Sequence, residues 1–258
     1  MSKYYNPKSN RSLYDPSSPE LFKLSRSKIE LFINCPLCFY LDRRLGVGQP
    51  PSYPFNLNSA VDTLLKKEFD IHRTAGTSHP LLAGYGLDLV PFAHEMMDRW
   101  RENFQGVQYL DARTNFLITG AIDDLWRDSK GLIYVVDYKS TSKDGEVSLD
   151  AEWQDGYKRQ VEVYQWLLRK NGFSVADTAY FVYCNGRTDV KAFDAKLEFD
   201  IKLIPYQGDA AWVEGTLLEA KKCLDGPLPR PSLTCDHCRY RAAAETAIAK
   251  TRHATLFD

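Results

Sequence analysis

Two carboxylates and one ammonium group occupy a stretch of sequence in which a hydrophobic core would place neither. Residues 120–139 read Gly-Ala-Ile-Asp-Asp-Leu-Trp, a short polar turn, then Leu-Ile-Tyr-Val-Val-Asp-Tyr-Lys. Ile133, Val135, Asp137 and Lys139 alternate, which puts them on one face of a strand. Charged groups at the end of an apolar strand are costly to bury unless they are paired or used. Apolar runs flank Arg127–Gly131, a hairpin signal. With Ser129-Lys130-Gly131 as the loop and Gly131 left-handed, Asp128 faces Leu132 and Asp123 faces Asp137, with Lys139 next along. A slip of one residue separates them. Like charges directly opposite destabilise a sheet. A divalent cation removes that penalty, since Mg²⁺ takes oxygen ligands from one or two carboxylates. The chemistry such a set supports is attack by a metal-activated water, with the lysine beside the developing negative charge. A lysine near metal cations can also have a lowered pKa and act as a base. An Asp-x-Lys triplet also occurs in ordinary exposed hairpins, so the rest of the chain decides.

A second set of chemically capable residues is Cys35-Pro-Leu-Cys38 and Cys235-Asp-His-Cys238, near the two ends of the chain. In a reducing compartment two such pairs read as a metal site rather than two disulfides, and they suit tetrahedral structural zinc. Cys184 and Cys223 read as small core residues. The N-terminus is polar and lacks a signal-peptide core, which points to a cytoplasmic protein with reduced thiols. No run approaches the ~20 apolar residues of a membrane span. A net charge of −1 over 258 residues gives no bulk basic signal for nucleic acid, so DNA binding requires a local patch or bound metal.

The elements that must position these residues follow from periodicity. Residues 1–24 form an irregular arm, and residues 25–258 a single domain whose C-terminal cysteine segment is 227–258. A helix starts near Ser25 with a Ser27/Glu30 capping-box pattern and runs to Gly46, broken or kinked at Pro36. A second helix starts near Asn58 and carries Asp62 beside its apolar face. His79–Gly86 reads as a loop, and 91–104 as a third helix with Phe92, Met96 and Trp100 at spacing four. Residues 109–125 are mostly strand. Trp153–Lys170 is a helix closed by Gly172, with Tyr157, Gln160, Val161, Tyr164 and Leu168 on one stripe. Gln160 and Tyr164 project together. Strands follow at 178–184 and 196–205, with a turn at Asn185-Gly186 between them. A helix capped by Asp209 then runs to Leu224. This order suits an α/β fold with a central mixed sheet flanked by helices.

In chain order, Asp62, Gly120-x-Ile122-Asp123, Asp137-Tyr138-Lys139 and Gln160-x-x-x-Tyr164 resemble the PD-(D/E)xK nuclease superfamily, specifically its RecB-like family, similar to CRISPR-adaptation and recombination nucleases. The resemblance spans roughly residues 25–240. It implies a restriction-endonuclease-like core and a metal-dependent deoxyribonuclease acting on single strands or ends. It implies Asp123, Asp137 and the Tyr138 backbone carbonyl as ligands of Mg²⁺ or Mn²⁺. Lys139 would position or activate water, and Gln160 and Tyr164 would contact the DNA backbone or orient Lys139. Asp62 stands where the family usually has a histidine; as an oxygen ligand it favours hard metals. The family often ties its first helix to the C-terminus with an iron–sulfur cluster. That implies a [4Fe–4S] cluster at Cys35, Cys38, Cys235 and Cys238, with structural Zn²⁺ as the alternative. The family's last cysteine would fall near Ala244, and Cys38 replaces it. Phosphodiester hydrolysis fits these residues independently of the resemblance, since it needs a metal-bound water and a cation at the phosphate. The alternative is a DNA-binding subunit that has lost catalysis. The chain has no Walker A loop, so any helicase, or any CRISPR or recombination factor, would be a partner protein.

Overall fold

The computed structural model describes residues 13–50 and 54–254. In chain order the elements are β1 (Phe22–Ser25), α1 (Arg26–Asn34), α2 (Pro36–Arg43), α3 (Asn56–Ala75), α4 (Pro80–Gly84), β2 (Leu89–Pro91), α5 (Met97–Arg101), β3 (Val107–Asp111), β4 (Phe116–Gly120), β5 (Asp124–Asp128) and β6 (Ile133–Thr141). A 3₁₀ turn at Glu152–Gln154 leads into α6 (Asp155–Lys170), followed by β7 (Thr178–Gly186), β8 (Phe199–Gln207), α7 (Trp212–Asp225) and α8 (Asp236–Ala254). The chain divides into two compact units. One comprises 1–52, 111–116 and 214–258, the other 53–110 and 117–213.

The larger unit is built on a five-stranded sheet of order β2-β5-β6-β7-β8. The β6–β7 pair is parallel and the other pairs are antiparallel, so the sheet is mixed. Helices cover both faces, giving the α/β architecture of a restriction-endonuclease-like core. Leu65 and Phe69 of α3 pack with Trp126, Val136, Tyr138, Tyr180 and Val182 on one face. On the other, Glu162 of α6 accepts from the Tyr206 hydroxyl of β8 (2.5 Å) and from Trp212 Nε1 (2.7 Å). Strand β7 is buried without interruption from Ala179 to Cys184, as a strand covered on both faces should be.

The β5–β6 hairpin has the register that its sequence dictates. Asp124 pairs with Val136 and Arg127 with Ile133. The Asp128 N–H donates to the Leu132 carbonyl at 3.1 Å. Gly131 is left-handed at φ +86°. The Asp128 carboxylate accepts from the Lys130 and Leu132 amides, both at 2.9 Å, which fixes the turn.

Several elements differ from expectation, each for a physical reason. Helix α1 ends at Asn34 and α2 restarts at Pro36, the expected break. The capping box does not form, because Ser25 is the N-cap and makes no side-chain cap. Its Oγ instead lies 2.9 Å from Ser27 Oγ. The third helix shrinks to α5 because 89–91 pair with β5 and the Phe92 amide donates to the Leu125 carbonyl at 2.8 Å. Edge pairing, which tolerates Pro91, wins over helical spacing. The segment 80–84 is a short helix started by Pro80, with His79 Nδ1 accepting from Leu81 N at 3.0 Å. Asn185 and Gly186 continue β7, paired with Asp200 and Phe199. The C-terminal cysteine segment contains helix α8 at Asp236–Ala254. The end of the arm contributes β1, and Tyr14 is buried against Phe22 and Phe116 at ring distances of 5.2 and 6.1 Å. Residues 1–12 of that arm lie outside the described residues.

One buried charge ties the larger unit together. Asp124 is fully buried, and its carboxylate accepts from Arg73 Nη2, from Arg101 Nη2 at 3.2 Å and from the Tyr138 hydroxyl at 2.6 Å. Removing one side of a buried ion pair leaves the other uncompensated, at a cost of about 3–5 kcal/mol. Asp124→Ala is therefore expected to lower unfolding free energy by that amount in urea titrations. A loss under about 1 kcal/mol would show that the cluster contributes no net stability.

Candidate active site

The expected catalytic positions converge around the end of β6. Asp137 is fully buried at the centre of the sheet, and Lys139 Nζ pairs with its Oδ2. The ammonium also sits 4.4 Å from the centre of the Tyr157 ring of α6, a cation–π distance. Burial pushes the Lys139 pKa down, but the carboxylates of Asp137 and then Asp123 outweigh it and hold it above the ordinary lysine value.

Asp123 lies in the break between β4 and β5, one residue beyond the last paired position of the ladder. Its carboxylate turns to the neighbouring strand, where Oδ2 accepts from the Tyr138 amide at 3.0 Å. Its carbonyl accepts from Arg101 Nε at 2.9 Å. Asp123 Oδ1 faces Lys66 Nζ at 3.3 Å, and the same ammonium donates to Asp62 Oδ2 at 2.9 Å. Asp62 is therefore joined to Asp123 through Lys66. Burial, reinforced by the Asp123 charge, holds the Asp62 carboxyl above the usual carboxylate value.

The second part of the set sits on α6. Gln160 Nε2 donates to the Tyr164 hydroxyl at 3.0 Å, and Tyr164 is buried. The tyrosine explains the glycine ahead of Asp123. A Cβ at Gly120 would lie 2.8 Å from Tyr164 Cε1 and 2.9 Å from Leu167 Cδ1, closer than carbon atoms pack. The chain can turn from β4 to Asp123 beside this helix only without a side chain there.

The side-chain donors other than the lysines brought to this site are oxygen atoms, the carboxylates of Asp62, Asp123 and Asp137. That set matches a hard divalent cation such as Mg²⁺ or Mn²⁺. Lys66 and Lys139 balance much of the carboxylate charge. Lys66, Arg101, Asp124 and the cation–π role of Tyr157 were not apparent in the sequence. Only Lys66 had a local signal, since it stands four residues after Asp62 on the same helix.

In the other unit, the four cysteines meet. Cys35 and Cys238 Sγ are 3.8 Å apart, and Cys38 Sγ lies 3.6 Å from both Cys235 and Cys238. All four sulfurs lie within 4.8 Å of one another. Burial pushes the Cys35 thiol up, but amide donors at Ser232 and Cys38 bring it to about 7, whereas burial lifts Cys38 to about 11. The group can hold a metal. Cys184 is buried in the sheet core, as expected.

A mixed sheet with helices on both faces, carrying Asp123, Asp137 and Lys139 at its central hairpin, is the class of fold described above. The chain belongs to the PD-(D/E)XK nuclease superfamily, whose description matches residues 56–243 and whose members are usually nucleases. The match takes in every candidate residue from Asp62 to Cys238. Among solved structures, the crystal structure of SSO0001 aligns with 81% of this chain and 79% of its own at 15% identity, with a TM-score of 0.35. No curated protein matches. Among the described residues no helix is long and apolar enough to cross a membrane.

The fit at Gly120 is directly testable. Gly120→Ala is expected to lose about 1–3 kcal/mol of stability by overpacking. Pairing it with Tyr164→Phe should restore little, because the clash is with the ring. Full stability of the single variant in a denaturant melt would mean that the turn has room to spare.

Proposed function

We propose that this protein is a metal-dependent deoxyribonuclease of the RecB-like branch of its superfamily, acting on single strands or ends. The observation that carries this reading is the meeting of Asp123, Asp137 and Lys139 at one end of β6, with Asp123 fixed by the Tyr138 amide. Asp137 is fully buried, its partner Lys139 is nearly so, and a second carboxylate stands beside them, unlike the arginine-satisfied Asp124 of the core.

Asp62, Asp123, Asp137 and the Tyr138 carbonyl would hold Mg²⁺ or Mn²⁺. When bound, the metal lowers the pKa of a water ligand and offsets charge on the phosphate. The protein's own groups do the rest. Lys139, charged and braced by Tyr157, faces the scissile phosphate and counters the negative charge that grows on its oxygens. Tyr164 and Gln160, hydrogen-bonded to each other, border Lys139 and contact the DNA backbone. Lys66 supplies the counter-charge to Asp62 and Asp123, the two carboxylates that would hold the cation.

An exposed aromatic supports a single-stranded substrate. Trp153 is 66% exposed and packs edge-on against Tyr157 at 5.5 Å, and Tyr157 in turn lies under Lys139. An indole presented to solvent next to the catalytic lysine can stack an unpaired base. A helicase or a CRISPR or recombination factor would deliver the strand, in the cytoplasm.

Two experiments test this reading. Labelled single-stranded DNA with Mg²⁺ or Mn²⁺ should be cut by the wild type. Asp123→Ala, Asp137→Ala and Lys139→Ala should each lose at least about a hundredfold in rate while still binding DNA. Inert wild-type protein that binds DNA as well as its variants do would instead identify a non-catalytic subunit. In the second, Trp153→Ala should weaken the affinity for single-stranded DNA about 5- to 150-fold, the equivalent of about 1–3 kcal/mol of stacking. Unchanged affinity would remove the stacking platform.

A further inference from the structure

We propose that Cys35, Cys38, Cys235 and Cys238 hold one zinc ion, and that an iron–sulfur cluster does not fit them. The spacing of the sulfurs decides between the two. Four thiolates at about 2.3 Å from a single ion, set at the corners of a tetrahedron, stand about 3.8 Å apart. Three of the six separations here are 3.6, 3.6 and 3.8 Å, and none exceeds 4.8 Å. In a four-iron cluster each cysteine binds its own iron at a separate corner of the cube. Its sulfurs therefore radiate outward and stand well beyond ligands that share one ion. Four sulfurs all within 4.8 Å of one another leave no room for the cube.

The local structure supports the same ion. Each Cys-x-x-Cys pair is the start of a helix. Cys35 is the N-cap of α2 and Cys38 lies in its first turn. Cys235 directly precedes α8 and Cys238 lies in its first turn. The match extends to the backbone, where the Cys35 and Cys235 carbonyls accept from Phe39 N and Arg239 N, both at 3.0 Å. Two helix N-termini thus converge on one point. Their partial positive charge offsets the excess negative charge of four thiolates on a divalent ion. The Ser232 amide approaches Cys35 Sγ at 3.5 Å, an outer contact of the kind that orients a metal ligand. All four cysteines are buried and supply every ligand of a closed, structural site.

The test is the metal content of the full chain, purified under argon from cells grown with both iron and zinc. About one zinc per chain, no acid-labile sulfide and no visible absorption are expected. That zinc should survive in the Asp123→Ala/Asp137→Ala variant, which separates it from any ion at the carboxylates. Replacement by Co²⁺ should give the intense visible bands of tetrahedral thiolate coordination. Cys235→Ser should lose the zinc and melt at lower temperature. Should that variant fail to fold, the wild-type stoichiometry still decides. A brown protein containing iron and sulfide overturns the proposal. So does a colourless protein without metal, or zinc that disappears with the two carboxylates.

Discussion

The larger unit depends on how one charge is buried. Asp124 has no exposed surface, so its carboxylate must find donors within the protein. Those donors come from three separate elements: Arg73 at the end of α3, Arg101 at the end of α5, and the hydroxyl of Tyr138 in β6. Satisfying this one group sets the position of two helices against the sheet. It also fixes its neighbour. With Asp124 turned inward, Asp123 in the preceding bend offers its carboxylate to the Tyr138 amide, and Arg101 holds both the Asp124 carboxylate and the Asp123 carbonyl. The two adjacent aspartates thus divide the work: one organises the core, and the other is presented to the site by the same arginine and tyrosine.

The site built on this frame is close to electrically balanced. The three carboxylates of Asp62, Asp123 and Asp137 face the ammonium groups of Lys66 and Lys139. Carboxylates grouped without such partners would repel one another and take up protons. The lysines offset the carboxylate charge and hold the side chains apart in a defined arrangement. Lys139 is further restrained by the face of Tyr157. An ammonium fixed in this way needs little reorganisation when charge develops beside it, which is the condition for electrostatic stabilisation to be effective.

The hairpin was the most legible feature of the sequence, because a period-two pattern and a glycine at the turn admit only one register. Asp128 opposite Leu132, Gly131 left-handed and Asp123 at the level of Asp137 all follow from that. Helices α3 and α6 were legible from long apolar periodicity. The failures share a cause. The segment 91–104 has helical spacing, yet its start is captured by an open sheet edge, a partner distant in sequence. The glycine before Asp123 could be noted but not explained, since its reason is the Tyr164 ring, more than forty residues away in the chain. Asp124 next to Asp123 carried no signal of its own in the sequence. Its importance rests on arginines that no local pattern connects to it.

The cysteine site answers a different problem, set by chain topology. Its unit is assembled from three stretches of sequence, the two ends of the chain and the hairpin tip at 111–116. Bringing such distant segments together costs chain entropy that grows with the length of the intervening loop. A small unit has little apolar surface with which to offset it. Tyr14, Phe22 and Phe116 form an aromatic cluster there, and Arg44 donates to the Leu224 and Gly226 carbonyls. These contacts are modest against that entropy. Four sulfurs, two from each end of the chain, gathered at the starts of two helices, supply the missing constraint. A metal held there would have no preformed site in the unfolded chain, so its binding free energy would become folding free energy. Helix breakage at Cys35, which would otherwise weaken the first helical segment, is what turns Cys35 and Cys38 towards the pair at the opposite end of the chain.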